Sequence, residues 1–280
     1  MSLAIAFKGP EGIVLAADSR VTLNTTVNIP GQSPMMLPST FDNATKLFRF
    51  AKQSHMGAVT YGTAAIGLHQ PRTAHSYLPE FESTLPQENA QRLSVSEFAN
   101  KLATFFHKKW IDGGMPTQAP AGQDMVFFVV GYDEGSPHGR IFEIAIPSKI
   151  IPFEHMPDPM NFGLIWGGQK EIVERLLNGC DQATAYHART FLQKPAPEGV
   201  PDPLYDELKR RQGAKIPWQF LPLQDCVDLS IFLIKTTITL QKWLVDVRGV
   251  GGHIDVATVT PIDGFRNVQQ KTIRGENLPK

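Results

Sequence analysis

The sequence predicts an α+β fold, a four-layer αββα sandwich, and three observations carry the prediction. Short apolar runs open the chain, return in its middle and close it, with two helix-forming stretches between each group and the next. The runs lack strict polar–apolar alternation, as expected of strands covered on both faces. One helical stretch carries its own start signal, a capping box at Ser94 and Glu97. Two facing sheets, each covered outside by a helix pair, satisfy all three.

Taken in order, residues 3–7 (LAIAF) and 12–17 (GIVLAA) flank the turn signal KGPE and read as a hairpin. FDNATKLFRF and SHMGAVTYG predict strands near 46–50 and 56–61. Between them and the first hairpin, NTTVNIPGQSPMMLPST holds three prolines and a glycine. It reads as a loop of about 20 residues, a length that is uncommon unless functional or disordered. After Gly62, TAAIGLHQPRTAHSYLPEF predicts a helix interrupted by Pro71. SVSEFANKLATFFHKKW predicts a second, with Val95, Phe98, Leu102, Phe105 and Trp110 recurring at helical spacing. DMVFFVVGYD, GRIFEIAI and KIIPFEHM predict three strands, and KEIVERLLNG starts a helix. Residues 195–222 contain six prolines and several charges and read as a surface insertion. LQDCVDLSIFLIKTTITLQKWLVD is a long helix by period; GGHIDVATVTP and DGFRNV supply the last two strands. The expected organisation is one domain over 1–280, with insertions near 24–43 and 180–220.

Composition bounds the function. With 280 residues, 42% of them hydrophobic, the chain can build a substantial core. Its 27 basic and 27 acidic residues are interspersed, which argues against a nucleic-acid or membrane-surface partner. Cys180 and Cys226 form no CxxC pair, so neither zinc nor a disulfide framework is expected, and a reducing cytoplasm fits. No apolar stretch approaches the ~20 residues of a membrane span, and no basic region precedes LAIAF as in a signal peptide. The eight histidines show no HExxH spacing, so neither a metal nor another cofactor is expected.

The segment GIVLAADSR resembles a characteristic segment of the proteasome β-type subunits and their bacterial relatives, which are N-terminal-nucleophile hydrolases of αββα fold. The Ser2–Asp18 spacing is that from the family's catalytic threonine to its aspartate. TKLFRF is similar to the strand that carries the family's lysine, here Lys46, and GAVTYGTAA to the segment of its oxyanion-hole glycine, here Gly62. PLQDCVDLSIFLIKTTI and GGHIDVATVTPIDG resemble the last helix and the strand after it. There are departures. Serine replaces threonine at the nucleophile, and Lys46 comes late. Asp246 stands one place from the family's acid. Val250 and Gly167 stand where the family has serines.

The resemblance implies a peptidase. A serine hydroxyl needs a base, and an N-terminal residue has one in its own α-amine, with a pKa near 7.7–8.0, about that of the medium. Once Met1 is removed, Ser2 would attack a peptide carbonyl and form an acyl-enzyme. Lys46 would stay protonated beside it, held by Asp18, and the Gly62 amide would donate to the oxyanion. Thr22 and Ala64 match positions that pair with an extended substrate, and Thr60 one that lines the specificity pocket. The family's peptide or unfolded-protein substrates and homo-oligomeric rings are implied in the same way, and the sequence leaves any ATPase partner open. Two other readings stay open: a catalytically inactive scaffold, and an amidase or acyl transferase acting on small substrates.

Overall fold

The computed structural model describes residues 2–27, 31, 33, 35–68, 70–120, 122–192, 202–245 and 248–272. The first strands are β1 (Leu3–Lys8), β2 (Ile13–Asp18), β3 (Val21–Val27), β4 (Met35–Phe41), β5 (Leu47–Arg49), β6 (Met56–Gly62), β7 (Ala65–Ile66) and β8 (Arg72–Thr73). Helices α1 (Leu78–Ser83) and α2 (Val95–Asp112) follow, then β9 (Met125–Gly131), β10 (Arg140–Ile146), β11 (Lys149–His155) and β12 (Gly163–Gly168). The chain continues through α3 (Glu171–Asn178), α4 (Gln182–Phe191), α5 (Pro203–Gln212) and α6 (Leu223–Gln241) to β13 (Ile254–Thr260) and β14 (Gly264–Gln269).

Two five-stranded antiparallel sheets dominate, ordered β12-β1-β2-β13-β14 and β11-β10-β9-β6-β5. Side chains alternate across each strand, and on β1 that alternation separates two cores. Ala4 and Ala6 meet Val59, Phe128 and Val130 of the other sheet, where small residues let the two sheets approach. Leu3, Ile5 and Phe7 turn the other way, onto Val173 of α3 and Val227, Leu233 and Ile234 of α6. A third cluster joins the outer face of the second sheet to α1 and α2 through Phe48, Phe81, Phe98, Phe106 and Phe127. Both strands of the first hairpin are buried along their whole length, which is why they read as continuous apolar runs.

Several expectations need correcting. The segment expected as a loop over 24–43 pairs instead as the β3–β4 hairpin, in register from Val21↔Phe41 to Val27↔Met35. Pro38 sits on β4, in a sheet of only two strands, where every strand is an edge and proline is tolerated. The helix expected after Gly62 begins only at Leu78; β7, β8 and a 3-10 turn at Ala74–Tyr77 come first, because Pro71 and Gly67 break the period. The strand β12 was not expected; its core positions are diluted by three glycines. In α2 the capping box forms as expected, but Phe106 rather than Phe105 is buried with Val95, Phe98, Leu102 and Trp110. The proline-rich insertion carries a ten-residue helix, α5, with no buried residue. No described helix is long and apolar enough to cross a membrane.

Candidate active site

The β1–β2 hairpin ends with Ser2 beside Asp18, and β5 of the facing sheet begins just after Lys46. The hairpin therefore brings Ser2 and Asp18 together, and the sheet-on-sheet packing delivers Lys46 to both. The Lys46 Nζ donates to Ser2 Oγ at 2.9 Å and to Asp18 Oδ1 at 2.7 Å. All three residues are buried, with exposures of 3%, 1% and 4% for Ser2, Asp18 and Lys46. Asp18 accepts three further bonds from backbone amides: Leu3 at 3.0 Å, Arg20 at 3.1 Å and Gly251 at 3.0 Å. Its two oxygens are thus satisfied by four donors. Burial pulls the Lys46 ammonium below the ordinary lysine value, and the attraction of Asp18 opposes this without cancelling it.

The rest of the ADSR motif holds the surrounding turns. Ser19 Oγ donates to the His253 carbonyl at 2.7 Å, and Arg20 grips Asp42 with two bonds while donating to the Arg248 carbonyl. The turn before β13 and the segment before Lys46 are therefore fastened to the same strand end.

A cavity of about 270 Å³ opens at Ser2 and Lys46. Thr60, Gly62 and Ala64 line it, so three of the sequence-derived residues join the triad there. Thr60 donates its hydroxyl to the Val126 carbonyl at 2.9 Å and its amide to the Lys46 carbonyl at 3.0 Å, coupling pocket and lysine. Gly62 has φ +83°, and a Cβ there would lie 2.1 Å from the Asp124 carbonyl oxygen, so only glycine fits. Thr22 is not part of this lining; it lies on β3, its hydroxyl buried without a hydrogen-bond partner. Asp246 lies outside the described residues.

Four participants escaped the sequence. Tyr61 lies against Gly167, where an added Cβ would come within 2.0 Å of its ring, so the serine expected at 167 has no room. The missing polar support comes instead from two glutamines. The Gln169 amide donates to the Ser2 carbonyl at 2.8 Å, and its side-chain oxygen accepts from Gln241 Nε2 at 2.5 Å. The Gln241 side-chain oxygen takes the Val250 amide at 3.0 Å, and the next amide, Gly251, reaches Asp18. Val250 therefore contributes its backbone where a side-chain hydroxyl was expected. His75, the fourth, lines the far side of the cavity. Burial, and secondarily Lys271, lower its pKa and favour the neutral ring. The one sequence signal was a glutamine ending the buried face of α6.

No family model matches the chain, and no curated protein matches it. Solved structures do. The fold is similar to an Anbu (Gly-1) mutant from Hyphomicrobium sp. strain MC1, with TM-score 0.53 and 15% identity over 97% of this chain and 86% of that one. It is also similar to Anbu, an ancestral β-subunit, from Yersinia bercovieri, with TM-score 0.53 and 12% identity over 95% of this chain and 86% of that one. At such identities the likeness shows the fold alone. It corrects the resemblance drawn from GIVLAADSR: the structures matched are Anbu proteins, proteasome-like but a family distinct from the proteasome β-type subunits, and it is to their fold that this chain is similar.

Proposed function

We propose that the chain is an N-terminal-serine hydrolase of amide bonds, a peptidase that works through an acyl-enzyme once Met1 is removed. One observation carries the reading: a buried lysine donating to Ser2 Oγ at 2.9 Å at the mouth of a cavity. In the first step Ser2 Oγ bonds to the substrate carbonyl carbon while its proton passes to the α-amine of Ser2. Collapse of the tetrahedral intermediate breaks the C–N bond, the departing amine takes that proton, and the acyl group stays on Ser2 as an ester. Water adds to the ester, and Ser2 regains its proton as the acid leaves. Lys46 offers charge beside the developing alkoxide, Asp18 orients Lys46, and the Gly62 amide donates to the oxyanion. Thr60 and Ala64 contact the substrate along the cavity. Thr22 extends the peptide-binding edge along β3, and Asp246 keeps the catalytic part that the resemblance implies for it.

The reading includes three broader parts. The two sheets and their helices form a four-layer sandwich in a single domain, which sets Ser2 at one end of the inter-sheet core. The protein works in the cytoplasm, where its two buried, free cysteines stay reduced. It also self-associates, and the exposed Ile150, Ile151 and Phe153 on the edge strand β11 suit such a contact.

The test combines intact mass with a variant. Native protein is expected to lack Met1, and Ser2→Ala to lower hydrolysis of a peptide-library substrate by at least about 10³-fold. Undiminished hydrolysis by Ser2→Ala would overturn the mechanism. Wild-type protein inert toward peptides and small amides alike would favour the scaffold.

A further inference from the structure

A second lysine–aspartate pair is buried beside the first. Lys271 Nζ lies 2.5 Å from Asp255 Oδ2, their side chains are 10% and 3% exposed, and the Lys271 amide donates to Asp255 Oδ1 at 3.0 Å. Asp255 sits on β13 opposite Ala17, on the strand adjacent to the one that ends in Asp18. Lys271 belongs to the stretch after β14 and carries one more contact: its Nζ donates to the Ala44 carbonyl at 2.9 Å. The Ala44 amide in turn donates to the Ser19 carbonyl at 2.9 Å. Both backbone groups of Ala44 are therefore held, one from each end of the chain.

Ala44 is not an arbitrary anchor. With Asn43, Thr45 and Lys46 it makes one wall of the cavity at Ser2. Behind that wall lies a smaller cavity of about 90 Å³ with Asp255 in its lining, and Thr45 and His75 line both spaces. The clamp on Ala44 holds the residue next to Thr45, which both spaces share. A buried ion pair is weak evidence for stability, since apolar residues of similar volume often serve as well. A pair retained at a cavity wall, next to another pair, calls for a local use.

We propose that Lys271 is a positioning residue of the Ser2–Lys46–Asp18 site: it braces the Asn43–Lys46 wall and sets a second cation beside Lys46. The proposal deepens the hydrolase reading and rests on it for its catalytic meaning. Four groups face Lys46 or its wall: Asp18 from β2, Asp255 from β13, Lys271 from the stretch after β14, and His75 from the 3-10 turn. Desolvation depresses Lys46, the Asp18 and Asp255 carboxylates oppose it, and Lys271 adds to the depression. The brace and the second cation thus set the position and the electrostatic surroundings of the Nζ that donates to Ser2 Oγ.

The ionisation of Lys46 tests this without substrate, read as the pH dependence of trace acetylation by mass spectrometry. In Lys271→Met, which removes a cation and leaves Asp255 uncompensated, the Lys46 midpoint is expected to rise by about one pH unit. Lys271→Arg keeps the charge and is expected to restore it. A folded Lys271→Met protein with an unmoved midpoint would overturn the proposal. Because that variant strands a buried carboxylate, the doubly substituted Lys271→Met/Asp255→Asn protein provides a second arm. With no charge stranded and no clamp, its amides at 43–46 are expected to exchange about tenfold faster than in wild type; unchanged protection there would also overturn the brace. Both readouts are independent of hydrolysis, so a failed Ser2→Ala test would sink the hydrolase reading while leaving them standing, and the reverse holds.

Discussion

Asp18 shows how much of the site hangs on single side chains. Its two oxygens take four donors that come from β1, the turn after β2, the segment before β5 and the turn before β13. Ser2, Asp18, Lys46 and Gly62 could be named from the sequence because each lies in a short segment that resembles a known family's. Gln169, Gln241 and Lys271 could not, because their partners lie 72, 9 and 16 residues or more away and only the folded chain brings them together. Gly168 is the sharpest steric demand of this set. Its φ is +96°, and a Cβ would sit 1.9 Å from the Ser2 carbonyl oxygen. Gly168→Ala is expected to cost about 2–3 kcal/mol, from left-handed strain plus the forced retreat of β1. It should also slow acylation of Ser2, because the retreat moves the nucleophile from Lys46. Chemical denaturation and acylation by a serine-directed probe check both parts; unchanged stability would mean that the contact relaxes without consequence.

The N-terminal cap of α2 was legible in the sequence and the hairpin β3–β4 was not, for the same reason. A cap is a local hydrogen-bond pattern, visible within four residues, whereas a two-stranded pairing interrupted by prolines has no such signature. The Ser94 hydroxyl accepts from the Glu97 amide at 3.2 Å and the Glu97 carboxylate accepts from the Ser94 amide at 2.9 Å. Ser94→Ala is expected to destabilise the protein by about 1 kcal/mol in urea unfolding, with the slope unchanged because α2 still docks through Phe98 and Phe106. At the start of α4, Asp181 behaves differently because it is buried. Burial pushes its carboxyl up, but bonds from the Thr184 amide at 2.7 Å and hydroxyl at 2.6 Å, and the Arg175 guanidinium, outweigh it and leave it below its ordinary value of 3.8. A carboxyl lowered in the folded state stabilises above its unfolded value and loses that contribution as pH falls through the folded one. Acid melts should therefore steepen below about pH 4, and Asp181→Asn, which keeps a competent cap, should flatten that limb while lowering Tm at pH 7. An acid limb identical in the variant would remove Asp181 from the account.

At the scale of the molecule, the two-sheet fold recurs in Anbu proteins at only 12–15% identity, and the pattern of apolar runs explains why so little identity is needed. What the core requires is apolar residues on both faces of β1, β2 and β9, and many sequences meet that demand. The same division predicts how the molecule opens. Strands β1, β2, β6 and β9 each have both faces in packed clusters and neighbours on both edges, so their amides exchange only when the whole core opens. Strands β3 and β4 pair with each other alone, and an isolated two-stranded pairing is marginal by itself. Native-state hydrogen exchange should therefore release the β3–β4 amides at free energies well below that of β1 and β2, while the amides of Leu3, Arg20 and Gly251 that hold Asp18 stay with the core. If β3 and β4 instead exchange together with β1, the hairpin is part of the central cooperative unit, and the peptide-binding edge proposed at Thr22 is rigid rather than adaptable.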